Sequence, residues 1–490
     1  FVYLVEGAAG FGTPVALAAP ILASFGFEPV PVACLCLVMD GLETTFGAVG
    51  TAMFFGFSPI VDAGLFSDAQ LVNSALRIAV INWIASLFVP IMALKFIFPW
   101  SEIKKSLVYI YLSIFSCTAV AVAFSTFSYN FPTLLGGVIG LGVTMALSAY
   151  NVGLHPCKTI AEIEREKRAD GDSFDEALLK PEKDVEANTA VEGKSKFVGP
   201  PPPAYKYSSF AEIEKGVSFY DIMVNSFPIW GTVVLLVLTR VEQIGLNSKL
   251  QALDPHATIG LGTLGELRIS ASLNLTWTNI LLQPDAPSWN FAVLFIPWFI
   301  PFIVVSGLTL ILHKDRLDAN VRWFTPFSEA LRRMKNPTIA LAGATTLAAL
   351  LTAGGNQSPA NQLGTVVSAA LQEGWVAITV LIGGLGAFFA GSTTVSNLTF
   401  GSVQLAAAEN LGVNPSSMIA LQSVGGNLGN MIALGNIVLV KAVMGTVSHV
   451  PEGVFVKKNI HIAGAYLLMA TAAGFILLFA IDSRVPVTPM

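Results

Sequence analysis

Two stretches of this sequence, "WVAITVLIGGLGAFFA" (375–390) and "AYLLMATAAGFILLFAI" (465–481), are apolar on every side when wound as helices. A helix at a watery surface keeps one polar face, so these must be enclosed by protein or lipid. Similar runs recur along the 490 residues, of which 53% are hydrophobic and only 12% charged. That is about half the charged share of an ordinary soluble domain. The pattern predicts an all-α polytopic membrane protein. Crossing a hydrocarbon core takes about 20 apolar residues, which predicts full spans near 29–56, 72–98, 106–128, 131–150, 220–239, 289–312, 336–353, 374–390, 415–445 and 459–481. Two shorter elements, 7–27 and 391–411, sit beside glycine-rich breaks and read as half-helices or re-entrant hairpins.

Two hydrophilic stretches separate the apolar ones. Residues 151–217 contain "AEIEREKRADGDSFDE" and "GPPPPAYK", a charged piece joined to a proline-rich linker, and read as a flexible loop. Residues 313–335, "HKDRLDANVRWFTPFSEALRRMK", carry six Lys/Arg against three acids. Basic loops mark the cytoplasmic side. Alternating the spans puts 313–335, 151–217, Lys104/Lys105 and Lys457/Lys458 together on that side and leaves 240–288 outside. The triplet Asn274-Leu-Thr276 in that external segment is a glycosylation-type sequon, of a kind common by chance.

The net charge of −5 arises mostly in one loop and implies no nucleic-acid partner. Cys34, Cys36, Cys117 and Cys157 have no metal-site spacing, and the sequence calls for no metal and no cofactor. No His-Glu-x-x-His, no Gly-x-Gly-Asp and no His beside a nucleophilic Ser in a span supports an intramembrane enzyme. The chain opens inside an apolar, interrupted stretch without an initiating Met, so it is expected to be N-terminally truncated, with spans upstream.

An internal repeat organises the rest. "FGFEPVPVACL" (25–35) and "LGVNPSSMIAL" (411–421) share apolar-Gly-apolar-polar-Pro followed by a run ending in Ala-x-Leu, and Gly26/Gly412 and Pro29/Pro415 are both 386 residues apart. Each copy follows a glycine-rich break, "GAAGFGTP" or "GSTTVSN", and leads into a span interrupted by small and polar residues, "DGLETTFGAVG" or "GGNLGNMIALGN". An odd number of expected crossings lies between the copies, so they would be inverted in the membrane. Inverted repeats with discontinuous helices mark secondary transporters, which bind substrate near the midplane. The expected organisation is a first transport repeat over 1–150, the loop 151–217, connecting spans over 218–312, the basic loop 313–335 and a second transport repeat over 336–490.

Irregular backbone at membrane depth is tolerated where it lines a cavity or is buried in protein. Gly7, Gly10 and Gly12 allow a turn, and Pro14 suits the first turn of a new helix. Small-residue packing between helices would explain these glycines but not the turn. The 10–14 backbone (Gly10, Phe11, Gly12, Thr13, Pro14) is therefore expected to receive a carboxylate. Three acids lie at apparent membrane depth, Glu6, Asp40 and Glu43, and are the candidates for proton coupling, with a structural ion pair as the alternative. The second repeat offers Ser392, Thr393, Thr394, Ser396, Asn397, Gln422, Asn427, Asn430 and Asn436. Such hydroxyls and amides suit a carboxylate and hydroxyl or a sodium ion, or bond back to their own helices. Lys441 is the one cation placed to face inward; Arg77 and Arg240 lie toward span ends.

The stretch "VEGAAGFGTPVALAAPILASFGFEPVPVACLCLV" resembles the lactate permease family, with its "EGAAGFG(A/T)PVA" followed by "GF-x-P"; "TFGAVG" (45–50), "PIWGTVVLLVLTR" (228–240) and "GSTTVSN" (391–397) fall in the expected order. The resemblance covers most of the chain outside the loops. It implies a plasma-membrane, multi-pass carrier of lactate, often glycolate, with protons. By motif it points to Glu6, Gly7, Gly10, Gly12, Thr13, Pro14 and Asn397. The chain departs from the family pattern at Thr393, where an acid is usual, at Asn430, where a lysine is usual, and at Asp40 and Glu43, where Asn and Pro are usual. The expected partners are a small monocarboxylate with a co-transported proton and the lipid bilayer. A sodium-coupled di- or tricarboxylate carrier and a membrane receptor or sensor are the alternatives.

Overall fold

The computed structural model describes residues 1–10, 12–155, 162–163, 219–240, 244–279, 289–295, 299–314 and 357–482, with scattered positions between 324 and 354. Phe11 lies outside the described residues, as do most of 151–217, 313–335 and the span expected at 336–353. The chain forms two compact units, one built from 1–209 and 340–490, the other from 210–339.

The larger unit begins with α1 (Val2–Ala8), α2 (Thr13–Ser24) and α3 (Pro29–Gly41). A single 3₁₀ turn (Thr44–Phe46) then leads into α4 (Gly47–Phe54). It continues through α5 (Ser58–Asp62), α6 (Asp68–Ser86), α7 (Val89–Leu94), α8 (Trp100–Lys105), α9 (Leu107–Ser125) and α10 (Pro132–Ala149). The smaller unit holds α11 (Phe219–Asn225), α12 (Phe227–Arg240), α13 (Leu246–Leu250), four strands and α14 (Ile300–Leu312). The larger unit resumes with α15 (Pro359–Leu371), α16 (Trp375–Ala390), α17 (Thr393–Leu411), α18 (Pro415–Asn430), α19 (Leu434–Met444) and α20 (Glu452–Phe475). Six stretches among the described residues are long and apolar enough to cross a membrane: Thr44–Asp62, Leu107–Ser125, Pro132–Ala149, Pro359–Ala390, Pro415–Met444 and Glu452–Ile481.

The core of the larger unit forms around α18, which is buried from Ser416 to Asn430 and packs against α3, α6, α16, α17 and α20. Small residues make that packing possible. Gly425 and Gly429 of α18 face Gly383 and Gly384 of α16 so closely that a β-carbon on Gly425 would strike the Val380 carbonyl. Helices in lipid associate through such contacts because burial of apolar surface gives them no extra drive. Leu37, Phe46, Met53, Ile78, Phe455 and Tyr466 fill the space between helices.

Three of the expected single spans are broken. Residues 29–56 are interrupted after Gly41, and 415–445 by the turn at 431–433 between α18 and α19. Residues 72–98 divide at 87–88, just before Pro90, which has no N–H to continue the helical ladder. Conversely, 391–411 holds one continuous 19-residue helix, because Ser392 caps it and no later residue interrupts it. The helix Pro359–Leu371 was not expected.

The smaller unit corrects the all-α expectation. Strands β1 (His256–Gly260), β2 (Glu266–Ser270), β3 (Asn274–Thr278) and β4 (Trp289–Ala292) form an antiparallel meander in the order β1-β2-β3-β4, with Arg268 opposite Thr258 and Thr276. β4 takes the first residues of the span expected at 289–312, whose helix starts only at Ile300. Asn274 of the sequon is 2% exposed, and its Nδ2, the atom a glycan would need, donates to Gln251 O at 2.9 Å.

Candidate functional site

The breaks of the larger unit meet around one partly open cavity. The first break contributes Glu6, Gly10 and Gly12. The region after α3 contributes Asp40, Thr44, Gly47, Ala48 and Thr51. The second break contributes Gly391, Ser392, Thr393 and Thr394, and α18 contributes Asn430.

Local sequence explains why two helices begin there. Gly12 takes a left-handed φ of 74° as the N-cap of α2, with Pro14 in the first turn. Gly391, at φ 65°, closes α16, and Ser392 then caps α17, its Oγ accepting from Val395 N at 3.4 Å. Left-handed backbone is open to glycine at little cost, which is what these two abrupt helix-to-helix junctions require. The first N–H groups of α2 and α17 lack intrahelical partners, and the partial positive charge of both helix ends lies at the cavity.

Opposite Gly10, the backbone is strained. Ala48 and Val49 have φ of 45° and 57°, a conformation a β-branched residue seldom adopts, and Gly50 continues it at 75°. Such segments persist where surrounding packing holds them, often at functional sites. Gly47 lies against the Glu6 carboxyl, where a β-carbon would overlap Glu6 Oε1.

A hydrogen-bonded layer ties α17 and α18 to the turn after α3. Thr44 Oγ1 lies 2.7 Å from Thr393 Oγ1 and donates to Asn427 Oδ1 at 2.9 Å. Asn427 Oδ1 also accepts from Thr45 N (2.9 Å) and Thr45 Oγ1 (2.7 Å), while its Nδ2 donates to Leu42 O (3.1 Å). Asn430 Nδ2 donates to Thr393 Oγ1 at 2.6 Å and to Thr44 Oγ1 at 3.2 Å, and Asn430 Oδ1 accepts from Asn436 Nδ2 at 3.2 Å. The two second-repeat positions that depart from the family pattern, 393 and 430, are thus bonded to each other as neutral groups. Behind them, Asn82 Oδ1 accepts from Tyr466 Oη at 2.7 Å.

The three acids part company. The carboxyl groups of Glu6 and Asp40, 2% and 1% exposed, are neighbours on the cavity wall. No protein donor reaches Glu6 Oε2 or either oxygen of Asp40. Glu43 is equally buried but does not line the cavity: Tyr3 Oη donates to its Oε1 at 2.7 Å and Thr133 Oγ1 to its Oε2 at 2.8 Å. Among the described residues no Lys, Arg or His forms an ion pair with any of the three.

Of the residues expected at the site, Gly10, Gly12, Ser392, Thr393, Thr394 and Asn430 line the cavity together with Glu6 and Asp40. Thr13, Pro14, Ser396, Asn397 and Asn427 do not. Ser396 Oγ donates to Gly383 O at 2.8 Å, and Asn397 Nδ2 donates to Ala52 O at 2.9 Å, so both serve helix packing one turn deeper. Asn427 stands one layer behind the wall. Lys441 is paired with Glu452 and Arg77 with Asp482 at 2.7 Å, both away from the cavity. Thr44, Gly47, Ala48, Thr51 and Gly391 line it without having been singled out as site residues. The signal for them is the repeat: "ETTFGAVG" follows α3 as "GNMIALGN" closes α18, and a polar break in one copy marks the corresponding place in the other.

Comparison with known proteins matches residues 1–176 and 212–481 to the L-lactate permease family. The chain is 32% identical to a putative L-lactate permease of Haemophilus influenzae, over 94% of this chain and 75% of that protein. It is 25% identical to the L-lactate permease of Bacillus subtilis, over 86% and 66%. A glycolate permease of Escherichia coli is 44% identical over 61 residues, 12% of this chain and 10% of that protein. The solved structure of Neisseria gonorrhoeae MtrF aligns over all of this chain and 82% of its own with TM-score 0.34 and 14% identity, which is too distant to carry an argument. By its family match across both halves and its apolar helices, this multi-pass membrane chain belongs to the L-lactate permease family.

Proposed function

We propose that the chain is a plasma-membrane secondary carrier that takes up L-lactate, and glycolate, together with a proton. The observation that carries the reading is the convergence of two helix N-termini, at Gly12 and Ser392, on one cavity that also holds two buried carboxyl groups. The substrate carboxylate sits against the backbone at 10–14 and 392–394, where the positive ends of α2 and α17 favour an anion. The 2-hydroxyl reaches the Thr44, Thr393 and Asn430 group, which offers both donors and acceptors. Glu6, Asp40 and Glu43 are the candidate proton carriers.

Residues 1–150 and 336–490 are the two transport repeats, related by inversion, with 151–217 and 313–335 as cytoplasmic loops. Two features support this. The described residues of both stretches, Ile339 apart, fall in the larger unit. The C-terminal ends of α3 and α18 also meet: a β-carbon on Gly41 would lie 2.9 Å from Met431 N and 3.0 Å from Asn427 O. The breaks that follow these two corresponding helices thus meet at one place.

Uptake of radiolabelled L-lactate by proteoliposomes containing the full-length protein, under an imposed pH gradient with and without sodium, tests the reading. Accumulation driven by the pH gradient alone is expected. A strict sodium requirement would replace the proton by sodium, and binding without flux would turn the carrier into a receptor.

A further inference from the structure

The three buried acids differ in what surrounds them, and the difference assigns their roles. Glu43 has each oxygen occupied by a hydroxyl donor, from Tyr3 and from Thr133. It also stands outside the cavity wall. Glu6 and Asp40 have three oxygens without a protein donor, and both line the cavity. We propose that the Glu6–Asp40 pair, and not Glu43, carries the exchangeable proton, and that the substrate anion enters only when this proton is in place. This rests on the transport reading above.

The reason is electrostatic. Two buried carboxylates on one cavity wall repel each other and repel any anion brought between the helix N-termini. Addition of one proton to an oxygen of either member turns the contact into an O–H donor facing a carboxylate, so the pair loses one negative charge as the substrate brings one. On the far side the anion leaves and the proton returns to water. Other titratable groups on the surrounding elements are engaged or remote. Tyr3 is bonded to Glu43, Tyr466 to Asn82, and Lys441 to Glu452. Cys34 and Cys36 share α3 with Asp40. Lys457, Lys458 and His461 stand in the first turns of α20 and Glu409 in the last turn of α17. Helices α2, α4, α10 and α18 carry no titratable side chain.

The test is calorimetric titration of L-lactate into the purified full-length protein across neutral pH, with uptake and counterflow in proteoliposomes alongside. In the parent, affinity falls by about tenfold per pH unit once the pair loses its proton, and Glu43→Gln keeps that slope. The double variant Glu6→Gln/Asp40→Asn loses pH-driven accumulation, and the lactate binding it retains has no pH dependence. A flat parent slope overturns the proposal, as does a slope abolished by Glu43→Gln; both readouts stand even where the double variant does not fold. Undiminished accumulation by the double variant also overturns it. Absence of lactate and glycolate binding by the parent at every pH overturns the transport reading itself.

Discussion

Thr44, in the turn after α3, and Thr393, in the first turn of α17, place their hydroxyl oxygens 2.7 Å apart although 349 residues separate them. This contact joins the two broken regions at the wall of the cavity, and Asn430 bonds to both partners. Replacing Thr393 with Val preserves its shape, removes the hydroxyl and leaves Asn430 Nδ2 with a weaker set of acceptors. The loss of one buried hydrogen bond at the proposed substrate site amounts to about 1–1.5 kcal/mol. The KM for lactate uptake is therefore expected to rise roughly tenfold in Thr393→Val, with the protein remaining folded. An unchanged KM would remove this group from the substrate's surroundings.

Gly47 gives a steric test of the same wall. Its missing side chain is what lets the Glu6 carboxyl occupy its place, since a β-carbon there would overlap Glu6 Oε1. Gly47→Ala must displace Glu6 or the turn and is expected to abolish lactate accumulation. Gly464→Ala, where a β-carbon meets nothing within 4 Å, is expected to leave uptake unchanged. Equal uptake rates for the two variants would contradict this geometry.

The readable part of this site was the part written in backbone chemistry. Glycines before a proline at 7–14, and a glycine followed by hydroxyl residues at 391–394, announce interrupted helices without any knowledge of what packs on them. The repeat then located α3 and α18, which do begin at Pro29 and Pro415. What sequence could not supply was direction. Glu6, Asp40 and Glu43 look alike as acids in apolar runs, and only tertiary packing turns Glu43 toward Tyr3 and Thr133. Asn82 and Tyr466 gave no local signal either, because their link spans 384 residues. The β-meander was missed for a different reason. Its strands are only four or five residues long, and their turns at 261–265 and 271–273 were read as parts of one external loop.

Asn427 is the structural centre of the polar layer. Its Oδ1 accepts from Thr44 Oγ1, Thr45 N and Thr45 Oγ1, and the residue is fully buried. Asn427→Leu keeps the volume but leaves a buried backbone N–H and two hydroxyls without that acceptor. The hydroxyls keep Thr393 and Ser423 as partners, whereas Thr45 N is orphaned at about 1–3 kcal/mol, so a loss of roughly 2 kcal/mol is expected. Thermal unfolding of the detergent-solubilised protein would show a clear drop in Tm, larger than that of Thr393→Val. A Tm equal to the parent's would mean that water replaces the amide.

Arg77 and Asp482 make a prediction about stability that is separate from transport. Arg77 Nη2 lies 2.7 Å from Asp482 Oδ1, with side-chain exposures of 16% and 3%, and Ser417 Oγ donates to Asp482 Oδ2 at 2.5 Å. The pair pins the last turn after α20 to α6 and α18, far along the chain from either break. Removing one charge of such a pair strands the other in a poorly solvated place, a loss of about 3–5 kcal/mol for a fully buried pair and less here because Arg77 retains some water contact. Asp482→Ala is expected to lower Tm by several degrees while leaving the KM for lactate unchanged. Replacing both partners, as Arg77→Met/Asp482→Leu, removes the stranded charge and should recover most of the loss. If the double variant recovers nothing, the stranded charge is not the source of the loss; the bond from Ser417, absent from both variants, is, and Ser417→Ala would then reproduce the loss.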